Sequence, residues 1–395
     1  MNVYLNDLGI ICSLGNGKQQ VTEALISPKN QEYLVCTDNF SIDDNQFYVG
    51  EVAFELPQLD STENVQQSRN NQLALAAFQQ IEASYKALSI HTDPKKVAVV
   101  IGTSTSGIKE GELAVEQYSK TKQFPDGFDY KVQEMNAPAE FLAQYIEAQG
   151  PAYSISTACS SSAKALASAR ALITSGTAEI VICGGVDTLS RLPINGFHAL
   201  ESTAANKCNP FSEQRDGINI GEAAALFVMS AQKSSILLAG TGESSDAYHI
   251  SAPEPDGRGA IKAMEQALEE AGLGTDDIDY VNLHGTGTTK NDSMEANAIY
   301  HLFQDKVPCS STKRLTGHTL GAAGALEAGL LFLLLGDGNQ EDRLPENRSD
   351  FPIDKQIRGI RLSDGLPASK LCYALSNSFA FGGNNTSVIL GKAGD

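Results

Sequence analysis

Apolar residues along this chain follow two rhythms. Short unbroken runs, VAVVIG (97–102), AYSIST (152–157), AEIVICGG (178–185) and AAALFVMS (223–230), are too short for helices and predict strands buried on both faces. Between them, NQLALAAFQQIEASYKAL (71–88) and SSSAKALASARALITSG (160–176) have helix-forming composition, and Gly176 supplies a stop for the second. The same grammar returns downstream. SSILLAGTGESS (234–245) opens it, GAIKAMEQALEEAGL (259–273) reads as an amphipathic helix, and IDYVNLHG (278–285) as a strand leaving a glycine turn. GAAGALEAGLLFLLLGDG (321–338) predicts an unusually apolar helix, and KLCYALSNSFAFGG (370–383) and TSVIL (386–390) predict closing strands. Strands alternating with helices, apolar on both sides, predict an α/β sheet architecture rather than a sandwich. The halves divide near 231–235, giving an N-terminal half 1–233 and a C-terminal half 234–395 that repeat in layout more than in residue identity. Residues 108–136 and 341–369 are irregular and Pro/Gly-punctuated, which predicts surface excursions serving as a pocket cover or a subunit contact.

Charge narrows the partners. The 395 residues carry 29 Lys and Arg against 48 Asp and Glu, a net charge of −19 that argues against nucleic acid or an anionic membrane as main partner. An acidic partner would need a local basic patch. Seven dispersed cysteines without a CxxC fit free thiols in a reducing compartment. No basic residue precedes Lys18, so a secretory signal is not expected, and AGLLFLLLG (328–336) falls far short of a membrane span. The expected location is cytoplasmic.

Three segments carry candidate chemistry. In STACSSSAKALASA (156–169), Cys159 stands between a β-rich run and a helix of small residues, where the positive helix end would favour a thiolate. In NLHGTGTTKNDSMEA (282–296), His284 leaves a strand into a glycine turn. Thr286 and Thr288 offer short hydroxyls, and Glu295 either orients another group or charges a helix. In SSTKRLTGHTLGAAGALEAG (310–329), Lys313 and His318 approach an apolar helix, where a charge needs a partner. Each segment alone has a structural reading: an inert buried cysteine, a satisfied core histidine, a surface lysine. Together they suit one reaction. A cysteine that accepts an acyl group and two imidazoles that hydrogen-bond a malonyl thioester carbonyl would support decarboxylation and carbon–carbon bond formation. The turn NSFAFGGNN (377–385) would add backbone N–H groups to an oxyanion hole with that of Cys159, unless Phe379 and Phe381 are simply core anchors. No close metal-ligand spacing, HExxH or phosphate-binding GxxxxGK[ST] competes, and TSTSG (103–107) is too glycine-poor for a dinucleotide loop. His198, Cys183, Cys309 and Cys372 read as structural.

TACSSS (157–162), HGTGT (284–288), STKRLTGHTLGAAGA (311–325) and NSFAFGG (377–383), with NPFSEQRDGINIGEAAA (209–225), resemble the β-ketoacyl-acyl carrier protein synthases of the elongating condensing-enzyme branch. The likeness runs from LGIICSLGNG (8–17) to TSVIL. It implies the thiolase fold, two pseudo-equivalent α/β halves in αβαβα layers, and dimers. It implies no metal and no redox cofactor, with acyl groups delivered on the phosphopantetheine arm of an acyl carrier protein. It assigns Cys159 as nucleophile, His284 and His318 to decarboxylation and condensation, and Lys313 and Glu295 to a supporting network. Thr286 and Thr288 would bind the phosphopantetheine arm. Phe381 would gate the site and lend its N–H, with that of Cys159, to the oxyanion hole. Degradative thiolases, starter condensing enzymes with a Cys/His/Asn set, and chain-length-factor subunits lacking the nucleophile fit less well. Ala380 stands where the family pattern has glycine, Asn384 where it has threonine, and GEAAA replaces a more glycine-rich run. These departures are similar to aryl-polyene condensing enzymes, which would pair the chain with a chain-length-factor-like subunit in a heterodimer. Housekeeping fatty-acid elongation as a homodimer, and a non-catalytic condensing-fold partner, are the alternatives. An acidic carrier would dock on a local basic surface, with Lys122, Lys131, Lys207 and Arg258 as contributors.

Overall fold

The computed structural model describes residues 1–26, 31–43, 45–59 and 67–394. Its centre is a pair of five-strand arrays. The first contains β1 (Tyr4–Cys12), β2 (Val97–Gly102), β3 (Ala152–Ile155), β4 (Ile180–Asp187) and β5 (Ala223–Ser230), in spatial order β3-β2-β4-β5-β1. The second contains β6 (Ile236–Ser245), β7 (Tyr280–Asn282), β8 (Cys309–Ser310), β9 (Tyr373–Ala380) and β10 (Asn384–Lys392), in order β8-β7-β9-β10-β6. The two orders are the same permutation. In each, three parallel strands are followed by two antiparallel ones. The arrays join edge to edge where Tyr4 and Leu5 of β1 pair with Leu237 and Ile236 of β6. This mixed α/β architecture matches the pseudo-two-fold layering of the thiolase fold.

Helices cover both faces and fill the space between the arrays. On one outer face α1 (Arg69–Ser89) starts at Ser68, whose side chain accepts the Asn71 N–H, and lays Leu73, Ala77, Phe78 and Ile81 on β1, β4 and β5. The following helix, α2 (Ile108–Thr121), corrects the expectation of irregular chain there. Only Gly111 and Ala114 are buried, and Leu113, Val115 and Tyr118 face outward. Its buried residues are small and its larger apolar side chains face outward, so the core-facing stripe is weak in the sequence.

Two helices form the middle layer. They are α3 (Ser161–Thr174) and, after the short α4 (Arg191–Ala199), α5 (Arg258–Ala271) and α6 (Thr289–Phe303) of the second outer face, α7 (Ala323–Leu335). Helices α3 and α7 pack against each other and against strands of both arrays. Helix α7 is buried all round except at Phe332, as a helix with no polar face must be. Each of its six leucines contributes about 2 kcal/mol by leaving water. Among the described residues no helix is long and apolar enough to cross a membrane. The 341–369 excursion lies against the 209–215 segment, pinned by Arg314–Asp350 and Arg215–Asp354 pairs at 2.6 Å each.

Candidate active site

Cys159 sits on an elbow between β3 and α3. Ala158 is left-handed there (φ 53°), which costs a non-glycine residue about 1 kcal/mol and turns the chain sharply. The turn is braced internally: the Thr157 N–H donates to Ser161 Oγ at 2.9 Å, and Ser160 Oγ donates to the Thr157 carbonyl at 2.9 Å. The small residues after the cysteine permit close approach. A Cβ on Gly102 of β2 would lie 2.3 Å from the Ser162 backbone, so strand and helix start touch directly.

The ionisation of this cysteine departs from the sequence expectation. Cys159 is buried, and burial pushes its thiol up to about 11, against the pull of the Lys313 cation and of the N–H groups of Phe381 and of Cys159 itself. The helix end does not make a thiolate, because desolvation of the charged form outweighs it. Those two N–H groups nonetheless converge on the sulfur, at the place where an oxyanion hole would be built.

One histidine touches the sulfur and the other stands beside it, the ligand atoms of all three lying within 4.8 Å of one another. His318 Nε2 is 3.0 Å from Cys159 Sγ, and the His284 ring meets the His318 ring edge-on with centroids 5.3 Å apart. Phe379 closes the other side of His284 at 5.9 Å. Burial, with the Lys313 cation, holds both imidazoles well below their ordinary pKa, and His318 adds to the effect on His284. Each ring is therefore neutral near pH 7 and carries one N–H.

The backbone on which each imidazole stands is fixed by a different element. The His284 and Gly285 N–H groups donate to Glu295 of α6 at 2.8 and 2.7 Å, so Glu295 orients the main chain of His284 rather than its ring. Burial pushes the Glu295 carboxyl up to about 7. The His318 N–H donates to the Asn219 carbonyl at 2.6 Å, and the Gly221 N–H donates back to the His318 carbonyl at 2.9 Å. That exchange gives the INIGE run (218–222) its part in the site. A Cβ on Gly221 would lie 2.2 Å from the Thr316 carbonyl oxygen, so only glycine fits.

Lys313 is fully buried and ion-paired to Glu327, the single acid of α7, which is 2 % exposed. Sequence reasoning named the lysine and missed its partner. The signal was present, since one carboxylate among the twelve apolar residues of that helix requires a buried cation. Asp292 was also missed. It accepts the Phe211 N–H at 2.8 Å and the Gly287 N–H at 3.2 Å, holding the glycine turn after His284.

A cavity of about 350 Å³ leads to this cluster, with Cys159, His284 and His318 among its lining residues. Thr286 and Thr288 line its wall, their hydroxyls 2.9 Å apart. Phe381 lies at its mouth, 38 % exposed, with its ring 5.6 Å from that of Phe197 on α4. It occupies the β9–β10 hairpin, where Ala380 pairs with Asn384 and the turn uses left-handed Gly382 and Gly383. Six of the eight predicted residues thus line one cavity, while Glu295 and Lys313 lie behind it, bonded to the His284 backbone and paired with Glu327.

The predicted basic docking residues do not line the cavity. Lys207 pairs with Glu32 and Arg258 with Glu254, each at 2.9 Å, while Lys122 leans on Tyr118. Lys290 lines the cavity instead, as do the acids Glu201, Asp216 and Asp246. The side-chain ligand atoms of Cys159, His284 and His318 lie within 4.8 Å of one another, a spacing that a soft divalent ion would accept. The Lys313 cation, close enough to depress both imidazoles, sets a field that opposes one.

Comparison with known proteins agrees with this geometry. Residues 42–234 match the beta-ketoacyl synthase N-terminal domain, and residues 236–342 match the beta-ketoacyl synthase C-terminal domain. The chain is 29% identical over 419 residues to a 3-oxoacyl-[acyl-carrier-protein] synthase 2 of Synechocystis sp., covering 99% of this chain and 98% of that one. Among solved structures it is similar to the ketosynthase ApeO in complex with its chain length factor ApeC from Xenorhabdus doucetiae, at 42% identity and a TM-score of 0.92, covering 99% of this chain and 98% of that one. It shares the fold of the ishigamide ketosynthase/chain length factor, with a TM-score of 0.87 at 24% identity, covering 100% and 99% of the two chains. With a Cys–His–His cluster set in this fold and both family domains matched, the chain belongs to the beta-ketoacyl synthase family of condensing enzymes.

Proposed function

We propose that the chain condenses an acyl group held on Cys159 with a malonyl group brought by a carrier protein, and that it does so in aryl-polyene or related polyene synthesis. The observation that carries this reading is the 3.0 Å contact between His318 Nε2 and Cys159 Sγ, with His284 beside it at the end of the cavity. The thiol is protonated at rest, so attack on an acyl thioester passes its proton to His318, and from there to the departing carrier thiol. Malonyl thioester follows. As carbon dioxide leaves, His284 donates its N–H to the developing enolate oxygen, and His318 does the same once its neutral ring carries its single proton on Nε2, the nitrogen that faces the site. The carbanion attacks the acyl carbonyl, and the N–H groups of Cys159 and Phe381 hold the tetrahedral oxyanion. Collapse expels the cysteine sulfur as a thiolate, which takes up one proton from solvent by way of His318, the proton that the decarboxylative condensation consumes. The product is a β-ketoacyl carrier longer by two carbons. Lys313 and Glu327 fix the field around the three groups, Thr286 and Thr288 seat the phosphopantetheine arm, and Phe381 gates the mouth.

The pathway rests on the 42% identity to ApeO, whose structure holds a chain length factor, and it implies a heterodimer with a chain-length-factor-like subunit. Likeness to the 3-oxoacyl-[acyl-carrier-protein] synthase 2 enzymes supports the second reading, housekeeping elongation by a homodimer. Intact Cys159 speaks against a non-catalytic partner subunit. Incubation with polyunsaturated or saturated acyl carriers and malonyl carrier, with and without a chain-length-factor partner, separates the three. The expected result is one acyl adduct by intact mass, lost in Cys159→Ala, and product from polyunsaturated chains. Normal condensation by Cys159→Ala would overturn the mechanism, and a strict preference for saturated chains would overturn the pathway.

A further inference from the structure

Away from the reacting groups, the most heavily hydrogen-bonded buried carboxylate is that of Asp187, the last residue of β4. Its Oδ1 accepts the Thr103 hydroxyl at 2.7 Å, the Ser104 N–H at 2.8 Å, and the Thr105 N–H and hydroxyl at 2.8 and 2.7 Å. Its Oδ2 accepts the Ser104 hydroxyl at 2.8 Å and the Gly321 N–H at 2.6 Å. No cation pairs with it among the described residues. Hydrogen bonds alone compensate the buried charge, which is a demanding arrangement to maintain merely for cohesion. TSTSG, set aside as a dinucleotide loop, is here the cradle of this carboxylate.

The outlier among the six donors is Gly321. The other five follow β2 in sequence, but Gly321 lies on the loop that presents His318, three residues after that histidine. Between them Leu320 is left-handed (φ 52°), a conformation that a leucine keeps only when its surroundings impose it. Asn219 and Gly221 clamp the chain at His318, and Asp187 clamps it just beyond the strained residue. The contact is close on purpose of geometry: a Cβ on Gly321 would lie 2.8 Å from both Asp187 Oδ2 and the Ser104 nitrogen. We propose that Asp187 is a positioning residue for His318, tying the imidazole's loop to the strand array that carries Cys159. This inference rests on the role given to His318 above.

Asp187→Asn separates this role from general cohesion. The amide oxygen keeps the four bonds on the Oδ1 side. The amide nitrogen then faces Gly321, donor against donor, whereas the Ser104 hydroxyl can rotate to accept. The tie to the His318 loop is broken, together with the longer 3.1 Å contact of the Ser104 N–H to Oδ2, whose 2.8 Å bond to the Oδ1 side persists. Thr103→Val is the control, because it removes one bond on the Oδ1 side and leaves Gly321 bonded.

The assay counts functional sites by intact-mass acyl loading of Cys159, then measures condensation per loaded site with acyl and malonyl carriers. For Asp187→Asn the condensation rate per site should fall at least about tenfold, with the KM for malonyl carrier within about twofold, because misplacement by a fraction of an ångström costs rate before binding. Thr103→Val should lose thermal stability yet keep its rate per site within about twofold. An unchanged rate in Asp187→Asn, or an equal fall in both variants, would overturn the proposal. If Asp187→Asn does not fold, Ser104→Ala removes the hydroxyl that Asp187 and Gly321 share at 2.8 and 3.1 Å, and its rate per site should fall about threefold, an unchanged rate again being fatal. His318→Ala run alongside keeps the two ideas apart. If it condenses normally the mechanism fails, and if it is inactive while Asp187→Asn is normal only the positioning role fails.

Discussion

Replacing Lys313 and Glu327 with methionine, singly and together, tests the electrical design of the site. The two side chains are buried and ion-paired, and Glu327 Oε2 has no further partner among the described residues. Lys313→Met leaves a carboxyl in an apolar helix without its cation, and Glu327→Met leaves an ammonium without its anion. Each single change should cost about 3–5 kcal/mol, because a buried charge loses its only compensation. The double variant replaces the pair by two flexible apolar chains and should cost only about 0–2 kcal/mol, so the coupling is several kcal/mol. Equilibrium urea unfolding by fluorescence and circular dichroism measures this where the two transitions coincide. Alkylation of Cys159 supplies an independent readout. The lysine pulls the thiol pKa down and the glutamate pushes it up, so Lys313→Met should slow alkylation by about tenfold for each unit the thiol rises. Stability should recover in the double variant without full recovery of alkylation, since the cation is still missing. Single-variant costs that add to within about 0.5 kcal/mol of the double would refute the coupled pair, and unchanged alkylation would detach Lys313 from the nucleophile.

Two further outcomes concern the nucleophile and its elbow. With the thiol at about 11 against an ordinary 9.0, Cys159 holds about a hundredfold less thiolate than a free cysteine at pH 8. Its alkylation rate by iodoacetamide should climb with pH through 9 and beyond, and a plateau below pH 8 would show that a thiolate exists at rest. Ala158→Gly relieves the left-handed alanine but frees the unfolded chain, so the melting temperature should hold steady or rise, corresponding to about 0–1 kcal/mol, and a large fall would mean that the methyl group is a packing contact.

How much of this was legible beforehand depends on what each residue faces. Unbroken apolar runs such as 97–102 and 223–230 are strands because both their faces are covered, and the boundaries match residue for residue. Strand β1 escaped notice because Asn6 and Asp7 interrupt it at a register shift between Leu5 and Asp7. Helix α2 escaped because its apolar residues face away from the core. The reacting trio was readable because cysteine and histidine beside glycine turns are uncommon in an otherwise bland context. Its support was less so. Glu327 and Asp187 act across 14 and 134 residues of sequence, and no local pattern marks which donors a buried carboxylate will meet. Cys159's protonation was misjudged for a related reason: helix ends are visible in sequence, but the depth of burial is not. Cys372, read as core, is only half-buried.

The matching strand permutations explain where the chemistry sits. In the first array the chain passes a left-handed residue, Ala158, and enters the central helix α3; in the second it passes Leu320 and enters α7. The loops before these helices carry Cys159 and His318, and the helices pack against each other. A fold that runs one layout twice about a shared axis brings corresponding loops face to face without further arrangement. Nucleophile and proton acceptor then come from corresponding loops of the two halves, Cys159 one residue after the left-handed position and His318 two residues before it. Acquiring a reactive pair in such a molecule requires no new geometry, only that the two copies cease to be alike.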